Sequence, residues 1–217
     1  DCHTLKEAIA AHYAVKPDAV FVGVGSDDVL ALAFLTFFAG KKPVLFPDIT
    51  YSFYDVWAEL YSIPYETVPL ADDFTLRPED YARENGGIIF ANPNAPTGIA
   101  LPPTGVEEIL SSNPDSVVIV DEAYVDFGAA TALPLLKQYE NLVVVRTMSK
   151  SRALAGMRIG YAFASPRLIQ AMEDVKASIN SYTMTTLSLA AGKAAIEDTA
   201  YFRETLAKII KTREETK

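Results

Sequence analysis

The chain has 217 residues, room for one large domain or two small ones, and half of them are hydrophobic, enough for a sizeable core. Its 28 acidic and 19 basic residues leave a net charge of -9, which disfavours nucleic acid, because phosphate binding needs a basic face. The single cysteine, Cys2, excludes an internal disulfide; no apolar run reaches a membrane span and no signal-peptide pattern is present, so a cytoplasmic protein is expected.

In chain order, Leu5 to Ala14 has helical apolar spacing with Pro17 just beyond. Ala19 to Val22 reads as a short strand, followed by Gly23-Val24-Gly25-Ser26-Asp27-Asp28 and an apolar helix from Val29 to Phe38 that Gly40 ends. Pro43 to Phe46 is a strand, Tyr51 to Tyr61 an aromatic-rich helix and Tyr65 to Val68 a strand. Residues 71–85 are polar, with a short helix near Pro78 to Arg83. The strand Gly87 to Ala91 leads into Asn92-Pro93-Asn94-Ala95-Pro96-Thr97-Gly98, whose prolines and glycine force a rigid loop. Thr104 to Leu110 is a helix. Ser116 to Val120 is a β-branched run suited to a strand buried on both faces, and Asp121-Glu122-Ala123-Tyr124 follows it. Leu142 to Arg146 and Arg158 to Ala164 are strands; Pro166 to Lys176 and Met184 to Ile196 are helices. Thr199 to Lys217 is a long charged helix. Strands and helices alternate throughout, so the expected fold is a three-layer α/β domain with a mostly parallel, doubly wound sheet.

Four polar stretches follow strands directly: Gly23 to Asp28, Asn92 to Gly98, Asp121 to Tyr124 and Ser149 to Arg158. In a parallel sheet those ends share one edge, where ligands of open α/β sheets bind. The amides of Ser26 and Asp27, behind Gly25 at a helix start, form an anion site or a simple N-cap. Asp121 ends a buried strand, and a carboxylate there requires a cation or hydrogen-bond donors. Lys150 lies just past another strand end, flanked by hydroxyls, with Arg158 eight residues on. That set suits a phosphorylated carbonyl cofactor held by an imine and an ion pair; a solvated loop lysine is the plainer reading. Gly23-x-Gly25 with Asp48 partly matches a dinucleotide fingerprint, but Asp28 stands where a third glycine belongs. Asp121, Glu122 and Asp126 point different ways from a strand end, and no metal site is expected.

Gly-x-Gly-Ser-Asp, Asn-Pro-Asn-x-Pro-Thr-Gly, Asp-Glu-Ala-Tyr and Thr-x-Ser-Lys, in this order and with Arg158 after Lys150, resemble the fold-type-I pyridoxal-phosphate aminotransferases. Asp121 to Phe127 and Met148 to Gly160 look most like the histidinol-phosphate aminotransferases. The resemblance implies a pyridoxal 5'-phosphate cofactor bound covalently to Lys150, which then serves as general acid and base. It implies that Asp121 pairs with the pyridine nitrogen, Tyr124 meets the ring's phenolic oxygen and Tyr51 stacks on the ring. Gly25, Ser26, Asp27, Ser149 and Arg158 would hold the phosphate. The asparagine that the family usually carries before Pro-Thr-Gly is Ala95 here, so Asn94 is the expected replacement, with Asn92 weaker. The implied substrates are histidinol phosphate and imidazole acetol phosphate with glutamate and 2-oxoglutarate, in histidine biosynthesis, by a homodimer without nucleic acid or membrane. Aromatic amino-acid aminotransferase and threonine-phosphate decarboxylase are the alternatives of the same fold; a nucleotide-binding oxidoreductase domain is the alternative of another class. The same resemblance assigns residues 1–197 to a cofactor-binding large domain and 198–217 to the start of an interdomain helix. It leaves a partner-reaching N-terminal arm and a small domain outside the chain, which alone is expected not to turn over.

Overall fold

Three apolar runs fill the middle of the molecule, and their residues are buried along their whole length: Gly87–Ala91 (β4), Val118–Asp121 (β5) and Leu142–Thr147 (β6). The remaining strands are Val20–Gly23 (β1), Val44–Pro47 (β2), Tyr65–Val68 (β3) and Gly160–Ala164 (β7). In this computed structural model, which describes residues 2–216, they form one seven-stranded sheet in the order β1-β7-β6-β5-β4-β2-β3. Lys217, expected at the end of the last helix, and Asp1 lie outside the described residues.

Strands β3, β2, β4, β5 and β6 pair in parallel, while β7 is antiparallel to both β6 and β1. The mostly parallel, doubly wound sheet is therefore present, with one strand reversed. The physical reason lies in the connection. Residues 148–159 contain only the 3₁₀ turn Ala155–Met157, too little chain for the crossover helix that a parallel return requires.

Alternation along the strands separates two cores. Ile119, Val143 and Val145 pack with Phe34, Tyr54, Trp57 and Met172 on one face. Val118, Val120 and Val144 pack with Leu5, Ile9, Val106 and Ile109 on the other. Helices Ser26–Ala33 (α2), Tyr54–Leu60 (α3) and Pro166–Ile179 (α5) supply residues to the first core. Helices His3–Tyr13 (α1), Pro103–Ser112 (α4) and Thr186–Glu197 (α6) supply the second. The result is the three-layer arrangement expected.

Local chemistry sets the element ends. Proline occupies the first turn of α4 and α5, where its missing N–H goes unused, and the Thr185 hydroxyl caps α6 by accepting from Ser188 N–H. Two helices differ from expectation. The first long helix begins at Ser26 and closes in a π-turn over Phe34–Phe38. The aromatic helix begins at Tyr54, so Tyr51 stands ahead of it in a turn. The segment Pro78–Tyr81 is a 3₁₀ turn rather than a helix. Helix Thr199–Thr216 (α7) starts one residue after α6 and buries none of its side chains.

Candidate active site

Parallel pairing brings the carboxyl ends of β1, β4, β5 and β6 to one edge, and the reversal of β7 places its start there as well. A cleft of about 250 Å³ opens at that edge. Ser26, Asp27, Tyr51, Asp121, Tyr124, Ser149, Lys150 and Arg158 all line it. Of the residues that the resemblance assigns to the cofactor, Gly25 and Asn94, with the weaker option Asn92, are not part of the lining.

One end of the cleft is built for an anion. Helix α2 starts at Gly25, whose φ of 91° suits glycine, and no side chain caps that end. The two acids of the first turn are engaged elsewhere: Asp28 Oδ2 accepts from Val24 N–H (2.8 Å) and Asp27 Oδ1 from the Tyr51 hydroxyl (3.0 Å). Arg158 holds a left-handed conformation (φ 50°, ψ 61°) and its guanidinium lies over Gly25. A β-carbon at position 25 would fall 2.5 Å from Arg158 Nη2, and one at Gly160 would fall 2.2 Å from the carbonyl carbon of Gly25. Two glycines thus let a helix N-terminus, a guanidinium and the first residue of β7 pack against one another. Uncapped amides and a planar cation at one point suit an anion, and the Ser149 hydroxyl is on the same cleft wall.

The floor carries a carboxylate with no cation beside it. Asp121 is 5% exposed; its Oδ2 accepts from the Tyr54 hydroxyl (3.1 Å) and its Oδ1 from Ala123 N–H (3.1 Å). Burial pushes its carboxyl up to about 6, although the bonds from Tyr54 and Ala123 pull the other way. Burial and the bond to Asp27 likewise raise the Tyr51 phenol, keeping it protonated. Lys150 is exposed, and its ammonium sits 5.1 Å from the ring centroid of the half-exposed Tyr124. Tyr51 packs edge-on against Tyr54 and parallel to Phe53. A larger cavity, about 440 Å³, adjoins the cleft across Tyr124 and Ala95.

Asn94, Asn92 and Asp48 are engaged away from the cleft lining. The Asn94 carboxamide is engaged by neighbouring groups: Oδ1 accepts from the Thr50 hydroxyl, and Nδ2 donates to the Ile49 carbonyl and, within its own loop, to the Thr97 hydroxyl. Asn92 is no substitute, since it exchanges both of its bonds with Leu101. The dinucleotide reading loses its acid as well, because Asp48 Oδ1 accepts from the Ile49 and Leu70 amides and Asp48 is not part of the cleft lining. Tyr54, unnoticed in the sequence, is the missing donor to Asp121; its position one helical turn after Tyr51 was the available signal. Glu122, by contrast, bonds Arg146 at 2.8 Å and 3.0 Å and is a structural pair. Among the described residues no group of three or more His, Cys, Asp or Glu could hold a metal ion, and no helix is long and apolar enough to cross a membrane.

Comparison with known proteins adds to this geometry. The family model described as aminotransferase class I and II matches residues 1–217. The histidinol-phosphate aminotransferase of Lactococcus lactis subsp. cremoris (strain SK11) is 52% identical over 217 residues, all of this chain and 61% of that protein. The histidinol-phosphate aminotransferase of Marinomonas sp. (strain MWYL1) is 54% identical over 217 residues, again the whole chain, and 62% of its own length is covered. The chain therefore spans about three fifths of the curated relatives it matches. Among solved structures, histidinol-phosphate aminotransferase from Sinorhizobium meliloti in complex with pyridoxal-5'-phosphate superposes with a TM-score of 0.90 at 28% identity. That match covers 98% of this chain and 59% of the other.

Proposed function

Because the chain belongs to the class I and II aminotransferases, we propose that its cleft holds pyridoxal 5'-phosphate and that the whole protein is a histidinol-phosphate aminotransferase. The amino group would pass between histidinol phosphate and 2-oxoglutarate, giving imidazole acetol phosphate and glutamate, and back. The observation that carries the reading is the convergence of Lys150, Asp121, Tyr124 and Arg158 on one cleft, in a chain 52% identical to the Lactococcus enzyme along its whole length.

The residues fit the cofactor. The socket at Gly25, Ser26, Asp27, Ser149 and Arg158 suits its phosphate, and a β-carbon at position 25 would fill the space against Arg158. Asp121, buried without a cation, suits a protonated ring nitrogen. When bound, pyridoxal phosphate supplies an aldehyde for amines and a ring that stores the electron pair released at the substrate α-carbon. Lys150 would be the amine that holds the aldehyde and the group that would carry the α-proton. Asp121 would hold a proton on the ring nitrogen, and Tyr54 and Ala123 fix its carboxylate. Tyr124 would donate its phenol to the ring oxygen, and Tyr51 would cover the ring face. The adjoining cavity of about 440 Å³ gives the substrate room.

A homodimer is part of the proposal, supported by the exposed apolar residues Phe53, which stacks on Tyr51 just ahead of α3, and Val56 and Leu60 on that helix. The test uses the whole protein loaded with cofactor. Amino transfer from glutamate to imidazole acetol phosphate is expected, faster than transfer to phenylpyruvate and without carbon dioxide release from threonine phosphate. Faster transfer to phenylpyruvate, or decarboxylation, would overturn the substrate assignment.

A further inference from the structure

The reactive face of the cleft depends on two loops that do not share a strand. Tyr124 follows β5, and Lys150 follows β6. Their contact, the ammonium 5.1 Å from the ring centroid, requires both loops to be fixed relative to each other. Ser151, 4% exposed and adjacent to Lys150, donates its hydroxyl to Asp126 Oδ2 at 2.5 Å. Asp126 lies two residues after Tyr124, and its Oδ1 accepts from Arg146 Nη1 at 3.3 Å. Arg146, on β6 and 5% exposed, is anchored by Glu122 at 2.8 Å, the Thr131 hydroxyl at 2.9 Å and the Tyr13 hydroxyl at 3.3 Å. Each loop is therefore tied next to its reactive residue: the Lys150 loop at Ser151, the Tyr124 loop at Asp126, and both to one buried guanidinium.

We propose that Ser151 and Asp126 are positioning residues, a part-buried bridge between the two loops that holds the Lys150 amine against the face of Tyr124. The bridge touches neither substrate nor cofactor; it acts through Lys150. The hydroxyl-to-carboxylate bond is charge-assisted and short, so it fixes geometry more firmly than a neutral bond. Against the ring, one side of the Lys150 amine is covered by Tyr124. Cutting the bridge lets the amine swing away from that ring, so a small electrophile reaches it more readily. The other groups around the amine, Asp27, Asp121, Tyr51 and Arg158, are untouched by a change at position 151.

This inference rests on the role proposed for Lys150, but its test does not need the cofactor. The cofactor-free protein is labelled with trace acetic anhydride, and the acetylation rate of Lys150 is compared with that of Lys42, which is paired with Glu84 outside the cleft. In Ser151→Ala, labelling of Lys150 rises about threefold, the factor by which an exposed cation–aromatic contact holds the amine in place. In a Tyr124→Leu background the same substitution adds no further rise, because the two changes break one contact. Unchanged labelling, or an increase that simply adds to that of Tyr124→Leu, overturns the proposal, whatever happens to the melting temperature. Ser151→Cys fills the same space with a weaker donor and serves the same test where the alanine variant is unstable. Pyridoxal phosphate is titrated in parallel. If the parent protein captures none, the cofactor reading fails while the labelling result still decides the bridge.

Discussion

Asp121 and Glu122 are consecutive carboxylates at the end of β5, buried to 5% and 1% exposure, and they meet opposite fates. Successive side chains leave a strand on opposite faces. Glu122 turns toward α1 and the Thr131 turn, where Arg146 neutralises it and the Ala132 amide and Thr131 hydroxyl complete its bonds. Asp121 turns into the cleft, where it finds two neutral donors and no cation. Burial raises both carboxyls, but only Glu122 has a guanidinium to oppose the rise. The difference separates structure from function: a buried charge with its counter-charge in place holds the fold, and a buried charge without one is arranged for a ligand.

The largest expected effect comes from breaking the compensated side. Arg146→Met leaves Glu122 buried and unpaired and should destabilise the protein by about 3–5 kcal/mol, measured by urea unfolding. A loss below about 1 kcal/mol would mean that the pair does not carry the structural half of the contrast. Next is the uncompensated side, where the sign reverses. Between the ordinary value of 3.8 and about 6 the folded state binds more protons at Asp121 than the unfolded state. Stability from this group therefore falls as pH rises through that window, and the full penalty applies above it. In cofactor-free protein at pH 7, Asp121→Asn should gain up to about 3 kcal/mol, flatten the slope between pH 4 and 6, and lose tight cofactor capture. A destabilised Asp121→Asn would make Asp121 a structural group like its neighbour. The smallest effect belongs to Tyr54→Phe. It removes one of the two donors, costs about 1 kcal/mol, and shifts the pH window of Asp121 upward. An unmoved window would show that the Tyr54 bond does not tune Asp121.

Much of this contrast was legible in the chain. Asp121 could be read because a carboxylate directly after Val117-Val118-Ile119-Val120 has nowhere apolar to hide. Lys150 and Arg158 could be read because both lie beside the ends of apolar strands. What escaped depends on contacts between distant residues. Tyr54 reaches Asp121 across 67 positions and looks like any core aromatic in a helix. Arg146 sits inside a strand, and nothing local reports that its partners are Glu122, Asp126 and Tyr13. Asn94 was named as the replacement for the asparagine that the resemblance places at Ala95; only the structure reveals that its amide N–H groups go to Ile49 and Thr97 and that its oxygen accepts from Thr50. The reversal of β7 was within reach, since twelve residues with a single turn cannot hold a crossover helix.

The central claim is that the cleft is a cofactor site centred on one amine. The direct test adds pyridoxal phosphate to the protein, reduces with borohydride and locates the pyridoxyl group by peptide mass. The account predicts stoichiometric modification of Lys150, weakened by competing inorganic phosphate through the Arg158 socket and absent in Lys150→Ala. Modification spread over other lysines such as Lys6 and Lys42, or none at Lys150, would contradict it.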